Sequence, residues 1–274
     1  MTGMLENYRF EIPKHQKSII KVIGVGGGGS NAVNHMFNSG IKDVEFIVCN
    51  TDSQALKSTP VPHKLQIGVG LTEGLGAGAN PEIGMNAALE SKEEVRDMLS
   101  EDTKMLFITA GMGGGTGTGA APVIAKIASE LGILTVGIVT APFSIEGKRK
   151  MQAAQRGIDE LKSSCDTVLV ILNDKLREIY GNLSIRDAFA QADNVLNTAA
   201  KSIAEIITVT SEVNVDFQDV RTVMRQSGPA VMGSAEVSGE NRARRAAESA
   251  LSSPLLNNKE IKGAQKILLS IVNI

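Results

Sequence analysis

Two glycine-rich strings carry the clearest chemical signal in the sequence. The first is Gly24-Val25-Gly26-Gly27-Gly28-Gly29-Ser30-Asn31, which follows an aliphatic run and opens a segment with helical spacing. Glycines at such a junction let backbone N–H groups approach an anion that also feels the positive end of the helix. Gly24, Gly26 and Gly29 satisfy G-x-G-x-x-G as well, with Asp52 further on near the end of the next strand. A dinucleotide-binding unit therefore competes as a reading, and so does a tight turn without a ligand. The second string is Gly111-Met112-Gly113-Gly114-Gly115-Thr116-Gly117-Thr118-Gly119. An unbroken run of Gly and Thr is costly in backbone entropy and gives no packing in return. A nest of N–H groups and threonine hydroxyls around a polyphosphate would account for it; a loop without function is the alternative. The chain has no Gly-x-x-x-x-Gly-Lys-Ser/Thr string, so it is not an ordinary P-loop protein. His15, His35 and His63 are isolated, with no metal-ligand spacing, and no metal site is expected from protein side chains.

The string Gly113–Gly119 resembles the signature of the tubulin/FtsZ GTPase family, and the surrounding sequence is similar to its bacterial cell-division members. Supporting segments are Gly74–Pro81 (GLGAGANP), Ala141-Pro142-Phe143 with Glu146-Gly147, and Asn214-Val215-Asp216-Phe217-Gln218-Asp219, and the likeness runs from about Ile19 to the end. The resemblance implies nucleotide contacts from Gly27, Gly28, Gly29, Ser30 and Asn31. It puts Ala77, Gly78 and Ala79 near the terminal phosphate, and Gly114, Gly115, Thr116 and Gly117 around the phosphates. Glu146 and Asn173 would stand at the sugar and base side, Lys150 would make a phosphate or ribose contact, and Phe189 and Asp193 would receive guanine. Lys150 occupies a position where the family commonly has Arg, and it loses the planar fork of a guanidinium; Arg149 stands beside it. Phe189 and Asp193 are four apart on one helix face. The ring can stack on a base while the carboxylate accepts from guanine N1–H and N2–H₂, donors that adenine lacks. Phe189 also reads as a plain core aromatic.

Asn214, Asp216 and Asp219 are the implied catalytic residues. Two carboxylates beside a phosphate site would repel the nucleotide, and they make sense at a neighbouring subunit's γ-phosphate, polarising the attacking water. Head-to-tail contacts of that kind do not close and so build filaments. Asp219 also reads as a simple cap of a helix beginning near Val220. The resemblance further implies GTP and GDP as substrate and product, and Mg²⁺ held mostly by phosphate and water. It implies self-association and other cell-division proteins as partners, and a cytoplasmic place at the mid-cell division site. A dinucleotide-dependent oxidoreductase and a GTP-binding fragment unable to polymerise are the alternatives.

The elements that must position these residues read as α/β. Short aliphatic runs at 19–25, 44–50, 105–110, 133–140 and 167–172 predict buried strands, with helical spacing over 31–39, 81–99, 120–131 and 146–163. Strand–helix alternation of this kind predicts a mostly parallel sheet flanked by helices, with ligands at the carboxyl ends of the strands. The resemblance implies a Rossmann-like tubulin/FtsZ GTPase domain. Apolar positions from Ile185 to Ile207 predict a long central helix. Beyond it, a helix over 240–251, a turn at 252–254 and a strand over 267–272 suggest a partial α+β second domain. The expected division is a 1–18 extension, a 19–184 nucleotide domain, a 185–208 connecting helix and a 209–274 region carrying the acidic loop.

Lys+Arg 28 against Asp+Glu 30 gives no overall basic footprint for nucleic acid. Cys49 and Cys165 suggest buried thiols in a reducing compartment rather than a disulfide scaffold. No stretch reads as a signal peptide or a membrane span. The apolar run at the end suggests a chain cut short of the family's remaining strands, linker and anchor-binding tail.

Overall fold

The computed structural model describes residues 18–100, 102–181, 183–208, 215–251 and 263–271. The chain runs β1 (Ile20–Val25), α1 (Gly26–Asn38), β2 (Val44–Asn50), α2 (Ser53–Ser58), β3 (His63–Gln66), α3 (Val69–Thr72), α4 (Pro81–Glu90), α5 (Lys92–Ser100) and β4 (Met105–Gly111). It continues through α6 (Thr116–Glu130), β5 (Leu134–Ala141), α7 (Lys148–Ser164), β6 (Thr167–Leu172), α8 (Asn173–Tyr180) and α9 (Ile185–Thr208). The last elements are α10 (Phe217–Met224), β7 (Gly228–Ala230) and α11 (Arg242–Leu251). The strands form one sheet in the order β3-β2-β1-β4-β5-β6-β7, parallel throughout.

Both faces of that sheet are covered, which is why its central strands are continuous aliphatic runs. Ile23, Val25, Leu106, Ile108 and Ala110 point into one core with α4, α5, α6 and α7. Ile20, Val22, Met105 and Phe107 point into the other, with α1, α9 and Val220 of α10. Helix α9 has 24 residues and so spans about 36 Å. Its Ala192, Leu196, Ala199, Ala200 and Ala204 are buried, and small side chains there let α9 lie close to α1 and the sheet.

Where sequence and structure differ, local physics explains it. β3 and β7 lack the aliphatic run that marks a central strand; β3 is His-Lys-Leu-Gln and β7 is Gly-Pro-Ala, both at the sheet's edges. The predicted helix over 81–99 is two helices, broken at Ser91, whose hydroxyl accepts from the Gly68 N–H at 3.1 Å. Gly147, at φ +100°, separates a short turn at Ser144–Glu146 from α7. The predicted strand over 267–272 does not form within 267–271. Those residues have no ladder partner among the described residues, and Ile267, Leu269 and Ile271 are exposed. The predicted turn at 252–254 and Val272 lie outside the described residues.

Cys49 lies within β2, whereas Cys165 closes the end of α7 rather than sitting in a strand. Both are free and buried, and burial pushes each thiol up to about 12. Among the described residues no helix is long and apolar enough to cross a membrane.

Candidate functional site

Strand β1 pairs with β2 on one side and β4 on the other. The connections after β1 and β4 therefore leave in opposite directions and open a crevice at the carboxyl edge of the sheet. Both glycine strings are those connections. Val25 stands opposite Ala110, so Gly26, which opens α1, lies beside Gly111, the last residue of β4. Helices α1 and α6 begin there, inside the glycine runs rather than after them. Neither has a side-chain cap, so the amides of Gly26–Gly28 and Thr116–Thr118 have no intrahelical acceptor. Two positive helix ends thus meet at one place.

The glycines divide into two kinds. A Cβ on Gly26 would stand 2.7 Å from the Gly117 nitrogen, one on Gly117 2.9 Å from the Gly111 oxygen, and one on Gly115 2.9 Å from the Asn80 nitrogen. On Gly29 it would strike the Thr109 carbonyl, and on Gly119 the Pro81 carbonyl. These glycines let the two loops and the 77–81 segment interlock backbone to backbone. The expectation that the second run gives no packing in return is therefore corrected. Gly27 and Gly114 have nothing within 4 Å and border open space.

Side chains fix the loops further. The Thr116 and Thr51 hydroxyls are hydrogen-bonded at 2.7 Å, and the Gly113 N–H donates to Thr118 Oγ1 at 2.8 Å. Ser30 is buried and donates its hydroxyl to the Gly26 carbonyl at 2.7 Å, so that proton stays within the helix. Asn31 is exposed on the same helix. Ala77 is buried against the second loop, while Gly78 (φ +58°) and Ala79 (φ +57°) form an exposed left-handed turn before Asn80 caps α4. A left-handed alanine is strained, a feature common at ligand-clamping loops. Thr51 was missed in the sequence because nothing local marks it; only the fold brings the end of β2 to α6.

On the far side of the crevice, Phe189 is 43% exposed and so is not a core aromatic. Its ring meets Phe143 edge-on at 5.2 Å. Asp193, one turn along α9, is half-buried, and that burial raises its carboxyl to about 6 while the charge of His35 on α1 acts downward. Asn173 begins α8 at the carboxyl end of β6, 3% exposed, and its Oδ1 has no protein partner. A buried acceptor left open beside a crevice suits a ligand bearing donors. Glu146 takes the Phe143 N–H at 2.8 Å and the Lys150 ammonium at 3.0 Å. Lys150 is thus engaged with Glu146, and Arg149 is exposed next to it.

The acidic loop stands apart. Asn214 lies outside the described residues. Asp216, not Asp219, is the N-cap of α10, and the helix begins at Phe217 rather than near Val220. The two form a reciprocal box: the Asp219 N–H donates to Asp216 at 2.9 Å and the Asp216 N–H to Asp219 at 3.2 Å. The exit of α10 meets the first residue of β6, where the Thr167 hydroxyl donates to the Met224 carbonyl at 2.6 Å. That is the amino edge of the sheet. The glycine loops are at the carboxyl edge, where α9 begins with Phe189 against Phe143, and the 24 residues of α9 carry the chain about 36 Å along the sheet before the acidic loop is reached.

The profile of the Tubulin/FtsZ family, GTPase domain, matches residues 19–181, and that of the FtsZ family, C-terminal domain, matches residues 228–273. The chain belongs to the tubulin/FtsZ family. Among curated relatives of the family, a cell division protein FtsZ of Pseudomonas putida is 54% identical over 257 residues, covering 93% of this chain and 64% of the relative. The chain thus spans less than two thirds of that relative's length. Among solved tubulin/FtsZ structures, an empty FtsZ dimer from M. jannaschii is 46% identical with a TM-score of 0.84, covering 89% of this chain and 71% of that one. CetZ2 from Haloferax volcanii, described as a GTPγS-bound protofilament, is 27% identical with a TM-score of 0.69, covering 80% of this chain and 67% of that one. The dinucleotide oxidoreductase alternative finds no support in these matches.

Proposed function

We propose that this chain binds GTP in the crevice between β1 and β4 and hydrolyses it within head-to-tail filaments that serve bacterial cell division. The observation that supports the reading is the separation of its parts: two uncapped, glycine-built helix N-termini at the carboxyl edge of the sheet, and the paired carboxylates of α10 beyond the far end of the 24-residue α9. The amides of Gly26–Gly28 and Thr116–Thr118, with Gly27 and Gly114 leaving room, would receive the phosphates. Gly78 and Ala79 would close on the terminal phosphate. Phe189 would stack on guanine, Asp193 would accept from N1–H and N2–H₂, and Asn173 would take a donor of the sugar or base. Lys150 and Glu146, held as a pair, would reach the ribose and phosphate side together.

Hydrolysis then requires the next subunit. Asp216 and Asp219, with Asn214, would approach the γ-phosphate of a neighbour's GTP and polarise the attacking water. Each contact leaves one crevice and one acidic loop free, so the assembly propagates as a filament. Mg²⁺ would arrive with the triphosphate and be held by phosphate oxygens and water. Among the described residues no group of three or more His, Cys, Asp or Glu side chains is gathered to hold an ion. Within a cell the chain would act in the cytoplasm, at the division site. The relatives' printed descriptions, cell division for one and a nucleotide-bound protofilament for another, support this reading.

GTP turnover per subunit measured against protein concentration tests it. A site completed by a neighbour predicts activity that rises steeply above a threshold. Turnover independent of dilution would remove the in-trans mechanism, and preferential binding of an adenine dinucleotide would remove the nucleotide assignment.

A further inference from the structure

The exit of α10 is gripped by one carboxylate. Asp166, between α7 and β6, accepts through Oδ2 from the N–H and hydroxyl of Thr135 on β5, at 3.0 and 3.1 Å. Its Oδ1 accepts from the Gln226 N–H, in the turn after α10, at 3.2 Å. Its backbone joins the same two places. The Asp166 N–H donates to the Thr135 carbonyl at 3.1 Å, and its carbonyl accepts from Ser227 and Gly228 at 2.9 and 2.8 Å. Gln226 adopts φ +51°, unfavourable for a residue with a Cβ, and its N–H is the one that Asp166 holds. From the other side, the Lys266 ammonium donates to the carbonyls of Thr222 and Arg225 at 3.3 and 3.2 Å, covering acceptors of the helix's last turn.

We propose that Asp166 is a positioning residue for the acidic loop. It fastens α10 to the sheet independently of α9, so that Asp216 and Asp219 at the helix's opposite end meet a neighbouring subunit in one orientation. The inference rests on the reading of that loop as the group that polarises water for the neighbour. With eight residues, α10 is a lever about 12 Å long. A small tilt at the exit moves the carboxylates by about 1 Å, which is enough to cost catalysis up to about a hundredfold. Asp166 lies at the amino edge and touches no part of the nucleotide crevice, so its loss should spare binding. A residue that merely stabilised the fold would not separate turnover from binding in this way.

The chain carrying Asp166→Ala, Asp166→Asn or Thr135→Val is compared with the parent. The readouts are GDP affinity, KM for GTP, turnover at saturating protein, and hydrogen exchange of amides 217–228. Asp166→Ala should lower turnover at least about tenfold while KM and GDP affinity stay within about twofold. Its α10 amides should exchange faster while those of the glycine loops do not. Asp166→Asn, which keeps one acceptor oxygen, should fall between. Thr135→Val, which removes one donor to Oδ2, should lower turnover about two- to threefold. Parent-like turnover in all three overturns the proposal, as does a loss of turnover and GDP affinity in parallel. If Asp166→Ala does not fold, Thr135→Val decides by the same criteria. If Asp216→Ala hydrolyses GTP like the parent, the acidic-loop reading itself has failed. The tether is then judged by exchange alone, and unchanged protection of α10 in Asp166→Ala overturns it.

Discussion

At the carboxyl edge of the sheet, backbone meets backbone: glycines 26, 29, 115, 117 and 119 leave no room for a methyl group. At the amino edge, α10 buries Val220, and a few hydrogen bonds from Asp166, Thr167 and Lys266 hold its exit. The contrast fits what the proposed function asks of each edge. A phosphate cradle works only if its amides are already aimed, so it is built from close packing, which does not yield. A loop that serves a neighbour must be presented outward, where little packing is available and directional bonds set its place.

Four measurements would break or sharpen that contrast. Gly119→Ala should destabilise the chain by about 3 kcal/mol in urea unfolding, because its methyl group meets the Pro81 carbonyl. Gly27→Ala, with open space around it, should leave stability unchanged or slightly raised and weaken nucleotide binding instead. Equal unfolding midpoints for the two would mean that the cradle is not held by close approach. Next, Asp216→Ala should lower GTP turnover by about a hundredfold with GTP affinity retained. A parallel loss of affinity would place the carboxylate in the chain's own crevice.

The third measurement concerns pH. Burial raises Asp193 to about 6, so above that pH its carboxylate is ionised and able to accept from guanine, and below it the group is protonated. GDP affinity should be level above pH 6 and fall by up to about tenfold per unit below it, in direct titration. Asp193→Asn should abolish that dependence, and a flat profile in the parent would remove the ionised carboxylate from base recognition. In the smallest effect, Lys150→Arg should change GTP affinity by no more than about threefold, since either cation can pair with Glu146.

The sequence makes the central sheet legible because strands buried on both faces must be aliphatic throughout. It hides β3 and β7, whose edge positions impose no such demand, and it misleads at 267–271, where an apolar run finds no ladder partner among the described residues. The crevice is legible from its glycines, yet the reason for most of them is not. Local sequence cannot tell a glycine that borders open space, as Gly27 and Gly114 do, from one that admits another backbone. Asp166 and Thr51 were invisible for the same reason: their partners are 60 and 65 residues away along the chain.

The two thiols have a practical consequence. Cys49 and Cys165 lie in the shared core of the sheet and its covering helices, and burial keeps both protonated at neutral pH. An alkylating reagent can therefore reach them only when that layer opens. Modification rates become a clock for global unfolding, read without adding a label, and nucleotide should slow both sulfurs together.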